Sequence, residues 1–494
     1  MSTTSFPTKT PANEHRHRLP AGRRVCISPV SGAALAAVLA LATGAQALTV
    51  NGTYDVSGTE AHAGIFVGVS STGTLNISAG NTLNASGKFF INGNDNSGGY
   101  PNSAVNVNGG TLNYTNPGGE GFQVGWWYGG HFNVSGGVAN MAKLGIYDGD
   151  VTVSGGTLNV LSENVVVATI DNFNNVLTIS GGIANLRGVS MPRPSLSGLS
   201  PGEKLVLTGG TLNLGVGGIT GHATSVVEFG GGTVGALANW SSSKPITLSG
   251  TNGNVTFDPK NSTITLSNVL SSTGGLVVAA TGETGTVALS AANTYTGTTL
   301  MSAGTLALRH VNAVRSSTLD TGIAGAQIVT FTVVGTNTYN LGGLQGAADL
   351  NAEGNSLSIG ANHASTTSTG DITAAAVTKV GAGTLDLNGA NQNYNTLTAH
   401  AGTTNVNGSL TTLTADVTVN NGGTKLCFGG VSQTIGSLSI GAGATVVFTS
   451  GVASGAFSGP GKGFGGAALV PEPGTFGLLL IGALGVVHRR RRQA

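Results

Sequence analysis

Gly109-Gly110-Thr111-Leu112-Asn113, Gly136-Gly137-Val138-Ala139-Asn140, Gly155-Gly156-Thr157-Leu158-Asn159, Gly181-Gly182-Ile183-Ala184-Asn185 and Gly209-Gly210-Thr211-Leu212-Asn213 are one phrase, rewritten along the chain. Gly73-Thr74-Leu75-Asn76 precedes the series, and Gly231-Gly232-Thr233-Val234 closes it. From Gly110 to Gly232 the copies lie 27, 19, 26, 28 and 22 residues apart. A period of about 20–50 residues is the signature of a stacked repeat architecture. These units are too short for a four-stranded propeller blade and about right for one coil of a parallel β-helix. Gly supplies the left-handed turn. Alternate Leu, Val and Ile point into the coil lumen. Thr and Asn suit the exterior and the turns, and stacked Asn forms ladders. The expected fold is all-β: a parallel β-helix (β-solenoid) of many Gly-rich coils, with a helical signal peptide and a C-terminal membrane segment. Roughly 400 residues at about 22 per coil imply on the order of 18 coils and a rod of about 85 Å.

Composition agrees with this reading. The chain holds 82 Gly and 14 Pro in 494 residues, and only 8% of residues are charged, against about 25% in an average globular chain. That excludes a long solvated helix or coiled coil. Collagen is excluded by the lack of a three-residue Gly period, and charge-driven disorder by the abundance of Val, Leu and Ile. Between Leu48 and Val470 there are 12 basic and 18 acidic residues, a balance of −6. No basic surface for nucleic acid is available there.

The second half changes style. Asn293-Thr294-Tyr295-Thr296-Gly297-Thr298-Thr299 leads to Ala303-Gly304-Thr305-Leu306-Ala307-Leu308, and Lys379-Val380-Gly381-Ala382-Gly383-Thr384-Leu385-Asp386-Leu387 opens another copy. Gly342-Gly343-Leu344 and Gln433-Thr434-Ile435-Gly436-Ser437-Leu438 are fragments of the same style. This stretch, from Gly274 to Gly451, resembles the autotransporter-associated β-strand repeat. The resemblance implies a β-helical stalk like an autotransporter passenger. Asn391-Gln392-Asn393-Tyr394-Asn395 departs from the usual Asn-Thr-Tyr-Thr-Gly, so that copy is degenerate. Autotransport itself is not implied, because a membrane barrel needs many alternating strands of about 10 residues at the C-terminus.

The two ends read as addresses. Residues 1–47 form an export signal: Arg16, Arg18, Arg23 and Arg24, an apolar run from Ala33 to Ala42, then the small-x-small site Ala45-Gln46-Ala47 accepted by signal peptidase. At the other end Pro471-Glu472-Pro473 precedes an apolar run from Phe476 to Val487 and then Arg489, Arg490, Arg491 and Arg492. These elements, in this order, resemble the PEP-CTERM sorting signal of Gram-negative bacteria. The resemblance implies an exosortase-type processing enzyme as partner and a transient stay in the inner membrane. The arginines hold the end in the cytoplasm, and an apolar run short of the usual ~17–25 residues suits a temporary anchor. The expected organisation is signal 1–47, first solenoid 48–270, repeat-style solenoid 271–450, flexible Gly-rich linker 451–469 and sorting signal 470–494. A Pro-rich loop is expected near 191–202 and a larger loop near 309–330.

Candidate chemistry is sparse. Gly198-Leu199-Ser200-Pro201-Gly202 matches a nucleophile-elbow pattern but lacks the following helix. Gly461 to Gly466 spells G-x-G-x-x-G without a βαβ unit. Asp148 and Asp150 flank Gly149 and are expected to point the same way on a strand, with Asp171 one coil later. Asn94-Asp95-Asn96 is a turn with weak Ca²⁺ potential. No metal-ligand spacing appears, and no cofactor is expected. Cys427 is alone in the mature chain and is expected as a small buried residue. The aromatic patch Trp126, Trp127 and Tyr128, with His131 beside it, is the expected glycan contact. The resulting expectation is an exported, non-enzymatic cell-surface or extracellular-matrix protein associated with neutral exopolysaccharide. A polysaccharide-active enzyme on the same fold and a passenger-like adhesin are the alternatives. A cleft with carboxylates about 5–9 Å apart would favour the enzyme.

Overall fold

In the computed structural model the Gly-Gly phrase becomes a corner. Gly137, Gly156, Gly182, Gly210 and Gly232 all take positive φ, from 60° to 76°. Each sits on the corner of the coil beneath. A Cβ on Gly182 would lie 2.5 Å from the carbonyl oxygen of Gly156, and one on Gly137 2.0 Å from that of Gly110. Only Gly combines this backbone with this approach.

The structure describes residues 46–471 except 95–96, 99, 119–120, 126–128, 169–174, 193–201, 281–283, 326–327, 411–414, 421, 430–432, 450–452 and 459–467. Residues 94, 97–98, 434, 453–458 and 468–471 are described by their backbone alone. Three parallel ladders run through the described body. The first joins Ala47–Val50, Gly64–Val67, Phe89–Ile91, Phe122–Val124, Leu144–Ile146 and Val165–Val167. The second joins Gly52–Asp55 to Gly73–Ser78 and continues through Gly149–Val153, Val176–Ile179, Lys204–Leu207 and Val226–Phe229. The third joins Thr59–His62, Thr82–Ala85 and the end of Ser103–Tyr114, and carries on through Thr157–Val160. Ser103–Tyr114 and Gly130–Met141 run round the corner from the second ladder into the third. This is a three-sided parallel β-solenoid, and the described residues contain no helix.

The lumen is apolar. On the third side Leu83, Leu112, Ala139, Leu158, Ala184, Leu212 and Val234 are register partners, all fully buried. Large and small residues alternate for much of this column, so successive layers interdigitate. Phe89, Tyr114, Phe122 and Phe132 pack together in the early coils, with Phe89 and Phe122 centroids 4.2 Å apart.

The change of repeat style near 270 is not a break. Val255–Asp258 pairs with Leu276–Ala279, which pairs with Thr299–Ala303. Leu270–Ser271 is followed on the second side by Asn293–Tyr295, which is not strand, yet the amides of Thr294 and Tyr295 donate to the carbonyl of Leu270. The departures from expectation are local. Much of the segment 309–330, expected as a large loop, is strand: Val314–Asp320 and Ile328–Phe331 pair with their neighbouring coils. Ala453–Ser458 and Ala468–Pro471, in and beside the expected flexible linker, are strands paired to the coil before them. Part of the Gly-rich stretch therefore continues the stack.

Candidate functional site

The ends of the described body meet the two processing motifs. Ala47 is the first residue of the first strand, paired with Gly64, while Ala45 lies outside the described residues. Pro471 is the last residue of the last strand, opposite Phe448. Glu472, Pro473 and Arg489–Arg492 lie outside the described residues. So do Trp126, Trp127 and Tyr128, most of the Gly198–Gly202 motif, Asp171, Asp95 with Asn96, and Gly461–Gly466. The chain on either side of 126–128 is pinned: Gly125 N donates to Ile91 O, and Gly130 N to Asp148 O.

The expected acidic pair separates. Asp148 is fully buried at a corner, one residue before the strand Gly149–Val153. Asp150, on the strand, faces outward and bonds His131 of the coil below. The i, i+2 rule applies only within a strand, and the strand starts between them. His131 Nδ1 meets the Asp150 carboxylate, and that hydrogen bond raises the imidazole above its ordinary pKa despite opposing burial. Cys427 is also displaced from expectation. It is partly exposed, on the outer side of Lys425–Phe428 between Asn405 and Val447.

Three polar arrangements carry no obvious mark in the sequence. Tyr54, Glu60 and His62 occupy lumen positions in the first coil, in register with Leu75, Leu83 and Ala85. Tyr54 OH donates to Glu60 Oε2 at 2.8 Å, Ser57 N donates to Oε1 at 2.8 Å, and His62 Nε2 lies 3.2 Å from Oε2. Burial raises the Glu60 carboxyl, but these donors outweigh it and hold the pKa below the usual value. The group puts polar side chains at lumen positions of the first described coil. Aligning Thr59-Glu60-Ala61-His62 with Thr82-Leu83-Asn84-Ala85 is the signal that would have found it.

The second arrangement is Lys379, fully buried where Ile359 and Ala399 fill the same position in adjacent coils. Its ammonium donates to the carbonyls of Val380 and Gly381 at 2.7 Å and of Ala401 at 3.2 Å. Burial pushes its pKa down to about 8. The third is Lys244, whose ammonium donates to the carbonyl of His222. Burial lowers its pKa, opposed by the charge of Glu203.

The longest ordered polar feature lies on the third side. Asn84 Nδ2 donates to Glu60 O at 3.3 Å. Asn113 then donates to Asn84, Asn140 to Asn113, Asn159 to Asn140, Asn185 to Asn159 and Asn213 to Asn185, at 2.8–3.0 Å. From Asn113 onward these are the asparagines that end the Gly-Gly phrase. A shorter row on the second side runs from Asp55 through Asn76 and Asn106 to Asn133. Among the described residues no group of three His, Cys, Asp or Glu is placed to hold a metal ion. None of their elements is a helix long and apolar enough to cross a membrane.

Residues 469–492 match the PEP-CTERM protein-sorting motif. No curated protein and no solved structure matches the chain. The chain thus carries a signal of exported proteins of Gram-negative bacteria, held transiently in the membrane and processed by an exosortase. The autotransporter repeat name is compatible with the solenoid and rests on the sequence resemblance.

Proposed function

We propose that this protein is a non-enzymatic component of the cell surface or extracellular matrix: a solenoid that is exported, sorted through its tail and associated with neutral exopolysaccharide. The observation that carries the reading is the placement of Pro471, first residue of the Pro-Glu-Pro within the sorting motif, at the end of the last paired strand. A cut at this motif separates a nearly complete coil stack from the membrane segment. The polar rows of Asn and Thr along the coils favour a scaffold over a reaction centre. The described His131–Asp150 pair has a single carboxylate, short of the pair that glycoside hydrolysis uses.

Intact-mass measurement of protein recovered from the outer surface tests both ends. The expected chain starts near Leu48 and ends near Pro471–Pro473. Recovery of surface protein still carrying Arg489–Arg492 refutes the processing. Neutral residues at Arg489–Arg492 should leave export intact and impair sorting, and an unchanged surface yield would count against the cytoplasmic-stop role. Release of reducing ends from polysaccharide by the purified protein would refute the non-enzymatic reading.

A further inference from the structure

We infer that the third side of the solenoid, between the strands Thr82–Ala85 and Thr233–Ala236, is the docking face for a neutral polysaccharide chain. The inference rests on the exopolysaccharide reading above and assigns it a site. Two outward rows run along this side. One is the asparagine ladder, from Asn84 to Asn213. The other holds Thr82, Thr111, Thr157, Thr211 and Thr233, interrupted by Val138 and Ile183. Along this side the burial pattern turns the Thr row and the ladder from Asn84 to Asn185 outward and the residues between them into the lumen, while Asn213 at the end of the ladder is buried.

Three observations select the occupant. First, neither row contains an ionisable side chain between these strands, so nothing there complements an anionic or cationic polymer. Second, the chemistry is amide and hydroxyl. Each interior ladder amide, from Asn113 to Asn185, spends one N–H and one lone pair on its neighbours and keeps the others. The threonine hydroxyls make no hydrogen bond with any described residue. Groups that both donate and accept suit sugar hydroxyls. Third, the array repeats by one coil, about 4.8 Å, over roughly 30 Å, which suits a polymer of small identical units rather than a single compact ligand. The Gly-Gly corner beside the threonine row has no side chains, so that edge of the face has no rim.

The test uses the mature secreted protein and a variant carrying Thr111→Val, Thr157→Val and Thr211→Val. Valine keeps the β-branched shape and removes only the hydroxyl. Retention is measured on microcrystalline cellulose, dextran and galactomannan, with heparin as the anionic probe. The expected result is retention of the wild type on a neutral polysaccharide, and a loss of about tenfold or more in the variant with an unchanged melting curve. Serine at the same three positions should restore retention, which separates loss of the hydroxyl from damage to the fold. Equal retention of wild type and valine variant overturns this face and leaves the exopolysaccharide reading standing. Failure of the wild type on every neutral probe, or binding to heparin alone, overturns both. Inhibition of ice recrystallisation without polysaccharide retention, abolished in the valine variant, would give the face to ordered water and overturn the glycan assignment.

Discussion

At the level of single residues, corner glycines are not equivalent. Gly182 and Gly80 both have positive φ, at 60° and 81°. A Cβ on Gly182 collides with the carbonyl of the coil below, whereas a Cβ on Gly80 meets nothing within 4 Å. Gly80→Ala should therefore cost only the left-handed backbone, about 1–2 kcal/mol. Gly182→Ala adds the clash and should cost about 2–4 kcal/mol, read as a lower denaturant midpoint. Equal midpoints would show that the coils separate freely at this corner. The ladder makes a similar claim. Asn140→Ala strands the Asn113 oxygen below and the Asn159 amide above. It should cost about 1–2 kcal/mol, and a variant as stable as the wild type would show that water replaces both bonds.

At the level of elements, the second half keeps its coil shape through side chains that enter the corners. Asn293 accepts from Leu270 N and donates to Ala313 O, tying three coils together. Tyr295 is buried beside it, and burial raises its phenol to about 12 despite the bonds to Thr299 and Ser317. The degenerate copy still buries Tyr394, so its altered neighbours spared the lumen position. Lys379 gives a pH signature. Its folded pKa of about 8 lies below the unfolded value of about 10.4. Between these values the unfolded chain binds the extra proton, so this group makes the fold more stable as pH rises from about 8 toward 10. The midpoint difference between wild type and Lys379→Met should move in favour of the wild type across that window, and a flat difference would contradict the burial of the ammonium. His131 has the opposite sign. Its raised pKa contributes stability that is complete below about 6.5 and lost as pH rises through the folded value. The His131 ring signal, followed by NMR, should titrate above 6.5 in the wild type and lower in Asp150→Asn.

Across the whole stack, contacts are between neighbours. A repeat array of this kind responds locally to damage. Gly182→Ala should speed amide exchange in the coils around Thr157–Val160 and Thr211–Gly221 and leave the ladder through Asn391–Ala399 protected. Uniform loss of protection along the chain would instead show that the two repeat styles unfold as one unit. Circular dichroism of the processed protein should show strand and almost no helix, because helix is absent from the described body.

The period of the Gly-Gly phrase, the inward Leu and Ala, the stacked Asn and the sorting tail could all be read from the chain alone, because each depends on a local rule: a turn conformation, a two-residue alternation or an ordered terminal motif. What shares a surface could not be read so directly. His131 and Asp150 are 19 residues apart and meet because one coil sits on the next. Asp148 and Asp150 are two apart and part because a strand begins between them. Glu60, His62 and Lys379 occupy positions where the repeat places apolar residues. Composition marks them as surface, and only the register of neighbouring coils turns them inward, where partners donated or accepted across the corner make their burial tolerable.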